Sequence, residues 1–172
     1  MVDPFLDEKV VLVLSSSVME LATGGLQVEA VREAYGVTRN EGLCYEFCSA
    51  FSFSGEIVGD LYIGMDGYTK ILLLPYITKN FEIEVESPEM VKNATRAFVE
   101  RMKDEFILEL HDILPGTSLG EVRNLNFKLV SLPSEKYRKY TVIFFLKDTL
   151  KKKYLGRIYF HVVFEKVYKT EE

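Results

Sequence analysis

The sequence predicts an α+β fold in which helices are layered on a mainly antiparallel β-sheet. Three observations carry this expectation. A strongly capped helix begins at Ser87 and shows apolar positions at helical spacing. Two strand-like runs, "LCYEFCSAFSF" and "EIVGDLYIGM", flank Ser54-Gly55, a hairpin signal. In the closing run, Ile158, Phe160, Val162 and Phe164 alternate with Tyr159, His161, Val163 and Glu165.

The elements follow in order. Asp3-Pro4 supplies a cap and a first helical residue, and Leu6, Val10, Val13, Leu14 and Leu21 share one side at helical spacing. Gly24-Gly25 supplies a stop. "LQVEAVREAYGV" satisfies both periods, so residues 26 to 37 stay open between helix and strand. "VTRNEG" is a turn or loop. In the hairpin, Gly59 and Gly64 mark bulges or close backbone approach. Asp66 caps a short helix that Pro75 should end or kink, because proline removes a helix N–H and crowds the preceding turn.

"FEIEVE" is a short strand or a linker. Ser87-Pro88-Glu89 then opens the long helix, with Val91, Ala94, Phe98, Met102 and Phe106 as its buried stripe and Pro115-Gly116 as its stop. The last third is β: "NFKLVSL", "KYTVIFFL", a turn at "KDTLKKK", then "YLGRIYFHVVFEKVY". Pro133 and Gly156 sit at or near strand edges, where they do least damage.

The 172 residues suit one domain, or two small halves sharing a core, and 13% aromatic content favours substantial sheet. The formal charge of −5 argues against a nucleic-acid partner, which needs a concentrated basic surface. Lys151, Lys152 and Lys153 are the one tight basic cluster, and they lie in an expected hairpin turn. Cys44 and Cys48 in a strand would be about 13 Å apart, too far for a disulfide, and are read as reduced thiols. His111 and His161 lack paired ligand spacing, so no metal site is expected. The apolar start carries three serines and Glu20 and is too short for a membrane span. A cytoplasmic protein is the expectation.

Several chemistries lack their signature: no P-loop, no dinucleotide-binding glycine fingerprint and no nucleophile elbow is written here. Ser15, Ser16 and Ser17 have no histidine nearby in sequence to activate a hydroxyl. What remains is polar pairs on helices. The long helix exposes Asn93, Arg96, Glu100, Lys103 and Asp104. Asn93 and Glu100 share a face but stand about 10 Å apart. Glu89 and Asn93 are closer, at i and i+4. Helix surfaces also carry such pairs by chance.

The layout resembles the CheC/CheX/FliY family of chemotaxis proteins, and CheX proteins most. The resemblance rests on "SSSVMELATGGL" ending the first helix, on "FSGEIVGDLYIGMDG" leading into a short helix, on the long helix from Ser87, and on the closing hairpin "YTVIFFLKDTLKKKYLGRIYFHVVFEK". It implies a CheX/CheC-like fold, a single domain over residues 1 to 172, a homodimer and a CheY-like receiver domain as partner. Family members hydrolyse the receiver's aspartyl phosphate. Their motif is Asp or Ser, Glu four residues later and Asn three after that, the Glu contacting the receiver and the Asn orienting water.

In this sequence a gap-free match puts Asn93, Ala97 and Glu100 at those positions, so the long helix lacks Glu-x-x-Asn. A second copy that some members carry on the first helix is matched in spacing by Ser16, Glu20 and Thr23, with Thr for Asn. "EVRN" at Glu121 to Asn124 has the letters but precedes a strand.

The leading expectation is a non-catalytic receiver-binding protein using Asn93, Arg96, Glu100, Lys103 and Asp104. One alternative is a weak aspartyl-phosphate phosphatase using Glu20 and Thr23. Another is a structural or small-ligand-binding domain outside chemotaxis. No cofactor is implied; a receiver would bring its own Mg²⁺.

Overall fold

Among the described residues, three α-helices and one π-helical turn cover one face of a seven-stranded antiparallel sheet. This architecture comes from a computed structural model, which describes residues 6–37, 42–43, 45, 47–82, 87–125, 130–131 and 137–165. The Asp3-Pro4 cap, the centre of "VTRNEG", Cys44, most of "FEIEVE", most of "NFKLVSL" and Pro133 lie outside the described residues.

The first helix, α1, spans Leu6–Glu20 and buries Val10, Val11, Leu14 and Val18. The Gly24-Gly25 pair does not stop it there. The chain continues as a wide π-helical turn over Leu21–Leu26 and ends at Gln27, whose φ of 58° gives a left-handed cap. The helical stretch over Leu6–Leu26 is 21 residues and runs past the expected stop, and its apolar window has a mean hydropathy of 1.4. Half of that window is buried against the protein's own core, so its apolar character is explained by packing.

The open segment is a strand, β1 (Val28–Val37), which pairs with the long strand β8 (Tyr137–Asp148). A two-residue strand β2 (Gly42–Leu43) pairs with β7 (Val130–Ser131). The expected hairpin is present as β3 (Phe47–Ser54) and β4 (Gly59–Met65). Two short strands, β5 (Ser118–Leu119) and β6 (Arg123–Asn124), pair with β3, so "EVRN" runs into a strand. The closing strand, β9 (Tyr154–Glu165), lies between β8 and β4, giving the order β1-β8-β9-β4-β3-β5.

The short helix α2 spans Gly67–Asn80. The Asp66 carboxylate accepts from Thr69 N–H at 2.7 Å, as its cap position requires. Pro75 neither ends nor replaces it, and the helix runs one more turn to Asn80. Buried Leu73 and Ile77 hold the two sides of the proline on the core, which compensates for the missing N–H.

The long helix α3 spans Pro88–Leu110, with Ser87 Oγ accepting from Met90 N–H at 3.3 Å. Its core stripe is Ala94, Phe98, Met102 and Phe106, joined by Val99 and Leu110. It stops earlier than expected, at Leu110; the following turn closes with Leu114 N–H on the Leu110 carbonyl at 2.7 Å.

The main core lies between helices and sheet. A second, smaller apolar cluster covers the other sheet face with Cys48, Ala50, Tyr62 and Val163 beneath Tyr45 and Leu125. This changes the simple alternation expected of β9, because His161 and Val163 are buried as well as Phe160 and Val162. The close-approach reading of Gly59 and Gly64 holds. A Cβ at Gly59 would collide with the Val163 carbonyl, and one at Gly64 with the Tyr45 ring.

Candidate functional site

The candidate site is the outer surface formed by α3, the end of α1 and the π-helical turn. Helix α3 is fixed in azimuth by its buried stripe, so the opposite residues must face solvent. Asn93, Arg96 and Asp104 are exposed, and Glu100 and Lys103 are half-buried. All five predicted docking residues thus lie on the surface. Glu100 is flanked by two cations, with Arg96 Nε and Lys103 Nζ each 3.9 Å from its carboxylate. At that distance and exposure each pair is weak, so the ridge can exchange these contacts for a partner's.

Beside the ridge lies an indentation of about 580 Å³, edged by Asn80, Phe81, Glu82, Ala97, Glu100 and Arg101. The Arg101 guanidinium sits 5.3 Å from the centre of the Phe81 ring. Ala97 occupies the position that the motif match assigns to the acid. Its small side chain leaves the indentation open next to Glu100.

On α1 the geometry is different. Glu20 is exposed, but it hydrogen-bonds Glu109 of α3, and this bond is the leading cause that raises its pKa above the usual carboxylate value. The Glu109 and Glu105 charges push in the same direction. Ser17 Oγ donates to Glu109 at 3.0 Å and Ser16 Oγ lies 3.4 Å from its other oxygen. The serine run therefore ties α1 to α3. Ser15 donates to the Val11 carbonyl at 3.1 Å, which occupies a third hydroxyl.

Thr23 is exposed on the π-helical turn, and its hydroxyl donates to the Met19 carbonyl at 2.9 Å. The structure thus places Ser16 and Glu20 around Glu109, with Thr23 further along on a different winding.

Sequence reasoning missed a polar triad beside the smaller cluster, centred on the buried His161. His161 Nε2 is 2.7 Å from Tyr45 Oη, and its Nδ1 is 2.9 Å from Thr141 Oγ1. Burial holds the imidazole neutral, with its pKa pushed down to about 4. Cys48 is a free, buried thiol pushed up to about 11, and so is unreactive at neutral pH. His111 is likewise engaged, 3.0 Å from the Thr117 carbonyl.

No family model and no curated protein matches the sequence. Solved structures do match, along nearly the whole chain. The chemotaxis protein CheX from Desulfovibrio desulfuricans shares 8% identity at a TM-score of 0.73, covering 91% of this chain and 99% of its own. The CheX of a CheX–CheY complex from Borrelia burgdorferi, solved with beryllium fluoride and magnesium, shares 16% at 0.61, covering 92% and 97%. Thermotoga maritima FliY shares 14% at 0.61, covering 96% and 92%.

The chain therefore shares the fold of the CheX, CheC-like and FliY proteins. The long helix of this chain carries Asn93, Ala97 and Glu100 at the positions that the expected motif alignment would fill.

Proposed function

We propose that this chain is a cytoplasmic, homodimeric chemotaxis-type protein that binds a CheY-like receiver domain through the outer ridge of α3 and does not dephosphorylate it. The observation that carries this reading is the ridge itself. Asn93, Arg96, Glu100, Lys103 and Asp104 stay at the surface, carry both charges, and border an indentation beside Ala97. A receiver surface can pair with such a ridge without desolvating a buried ion. The absence of an amide three residues after an acid on this helix removes the group that would aim water. The Borrelia protein of the same fold was solved bound to CheY, which makes a receiver the first partner to test.

The test is titration with a CheY-like receiver from the same organism, free and activated with beryllofluoride and Mg²⁺. Binding should weaken at least tenfold in the Arg96→Glu/Lys103→Glu variant. No binding to either form would sink the reading. Receiver phosphate should decay at its spontaneous rate. Faster loss that is abolished by Glu20→Ala and by Thr23→Ala would instead establish the phosphatase alternative. Dimerisation is measured separately by analytical ultracentrifugation.

A further inference from the structure

A second concave surface borders the first: Asn80 lines both, and Thr23 of the π-helical turn lines this one. It is a groove of about 750 Å³ between α2, the β8–β9 turn and the π-helical turn. Its apolar walls include Ile71, Pro75 and Leu150, and its rim carries Lys79, Lys151 and Lys153. We propose that this groove docks an acidic amphipathic peptide segment of a partner protein, with apolar side chains against Ile71 and Leu150 and carboxylates against the three lysines.

Three observations carry the proposal. The first is exposure without structural cause. Leu150 is 92% exposed and Ile71 68%, with Tyr68, one helical turn before Ile71, at 65%. Exposed apolar residues grouped at one groove mark an interaction surface. Leu150 stands at the tip of a turn, projecting outward. Projecting apolar knobs suit a macromolecular surface better than an enclosed small ligand.

The second is charge. The groove's acid, Asp148, is already satisfied: Tyr76 Oη donates to it, and so do the backbone N–H groups of Leu150 at 3.0 Å and Lys151 at 2.6 Å. These bonds, the Lys151 N–H first, hold its pKa below the ordinary aspartate value. By contrast, no ion pair among the described residues engages Lys79, Lys151 or Lys153. Lys152 of the same turn does have a partner, Glu29 at 3.1 Å. In a chain with a formal charge of −5, Lys79 and Lys153, beside Lys151 and the Asp148 carboxylate on which its charge acts, leave the groove net positive and favour an anionic partner.

The third is preorganisation. Asn80 Nδ2 donates to the Leu26 carbonyl at 3.0 Å, and Thr149 Oγ1 to the Gln27 carbonyl at 2.9 Å. Tyr76 joins α2 to the strand end through Asp148. All three walls are thus cross-linked before any partner arrives, which lowers the ordering cost of binding.

The experiment uses the full chain and a labelled helical peptide with Leu at i, i+3, i+4 and i+7 and Glu elsewhere. Fluorescence anisotropy should show salt-sensitive binding, with amide shifts mapping to Ile71 and Leu150. Lys79→Glu/Lys151→Glu/Lys153→Glu should weaken it at least tenfold. Leu150→Ser, a turn-tip change that leaves the circular dichroism unaltered, should weaken it at least fivefold. Equal binding of a Lys-for-Glu peptide, or no binding of the acidic one, would overturn the proposal. So would displacement of the peptide by laurate or by single-stranded oligonucleotide at lower concentration than unlabelled peptide, since the groove would then belong to a small amphiphile or a nucleic acid.

Discussion

The single hydroxyl proton of Ser17 on α1 is shared between two acceptors, Glu109 near the end of α3 at 3.0 Å and the Val13 carbonyl at 2.8 Å. One buried hydroxyl thus joins two helices far apart in sequence. Glu20 approaches the same carboxylate from the next turn. The candidate acid of the first helix is therefore part of a helix–helix contact.

That contact gives a pH-dependent expectation. The folded pKa of Glu20 is raised above the unfolded one. Its favourable contribution is present below the ordinary glutamate value and is lost as pH rises through the raised value. Glu20→Gln keeps a donor for Glu109 at every pH. Thermal melts should show the variant more stable than the parent at pH 7, with the difference gone at pH 4.

His161 behaves in the opposite sense. Its pKa falls to about 4 on folding, from an ordinary value of 6.5. The unfolded chain takes up a proton below 6.5, and the folded protein does so only near 4. Stability is therefore full above 6.5 and is lost as pH falls through that window, by on the order of 3 kcal/mol. Urea unfolding between pH 7 and pH 4 measures the loss. His161→Gln should flatten the dependence across that window.

The two sides of α3 should respond differently to truncation. Phe98, on the buried stripe, should cost about 3–5 kcal/mol when changed to alanine, because a cavity replaces its ring. Arg96→Ala on the ridge should stay within about 0.5 kcal/mol. Denaturant midpoints measured side by side separate the core face from the surface face.

Ser87→Ala removes the oxygen that accepts from Met90 N–H. The expected loss is about 1 kcal/mol in urea unfolding. Ser87→Asp, which keeps an acceptor, should recover it.

Local chemistry explains what was legible beforehand. The start of α3 and its stripe follow from a cap, a first-position proline and a 3.6-residue period, all contained in adjacent residues. The Asp66 cap and the β3–β4 hairpin were legible for the same reason. What was not legible depended on distant partners. Val28–Val37 satisfies both periods, and only pairing with β8 decides for strand. Pro75 stays inside α2 because Leu73 and Ile77 are held by the core. The π-helical winding of Leu21–Leu26 and the Glu20–Glu109 contact leave no mark in composition or spacing. In the candidate site, exposure of the ridge was legible from α3 alone, whereas the indentation beside Ala97 needed Phe81 and Asn80 from α2.

Strand β1 borders the sheet, and its ladder with β8 shifts register between Arg32 and Ala34. Glu33 there is tied back to Arg157 at 2.6 Å. A kinked, charge-bearing margin makes a poor template for an incoming strand. The irregularity thus guards a molecule rich in β-branched and aromatic segments against open-ended fibre growth from that side.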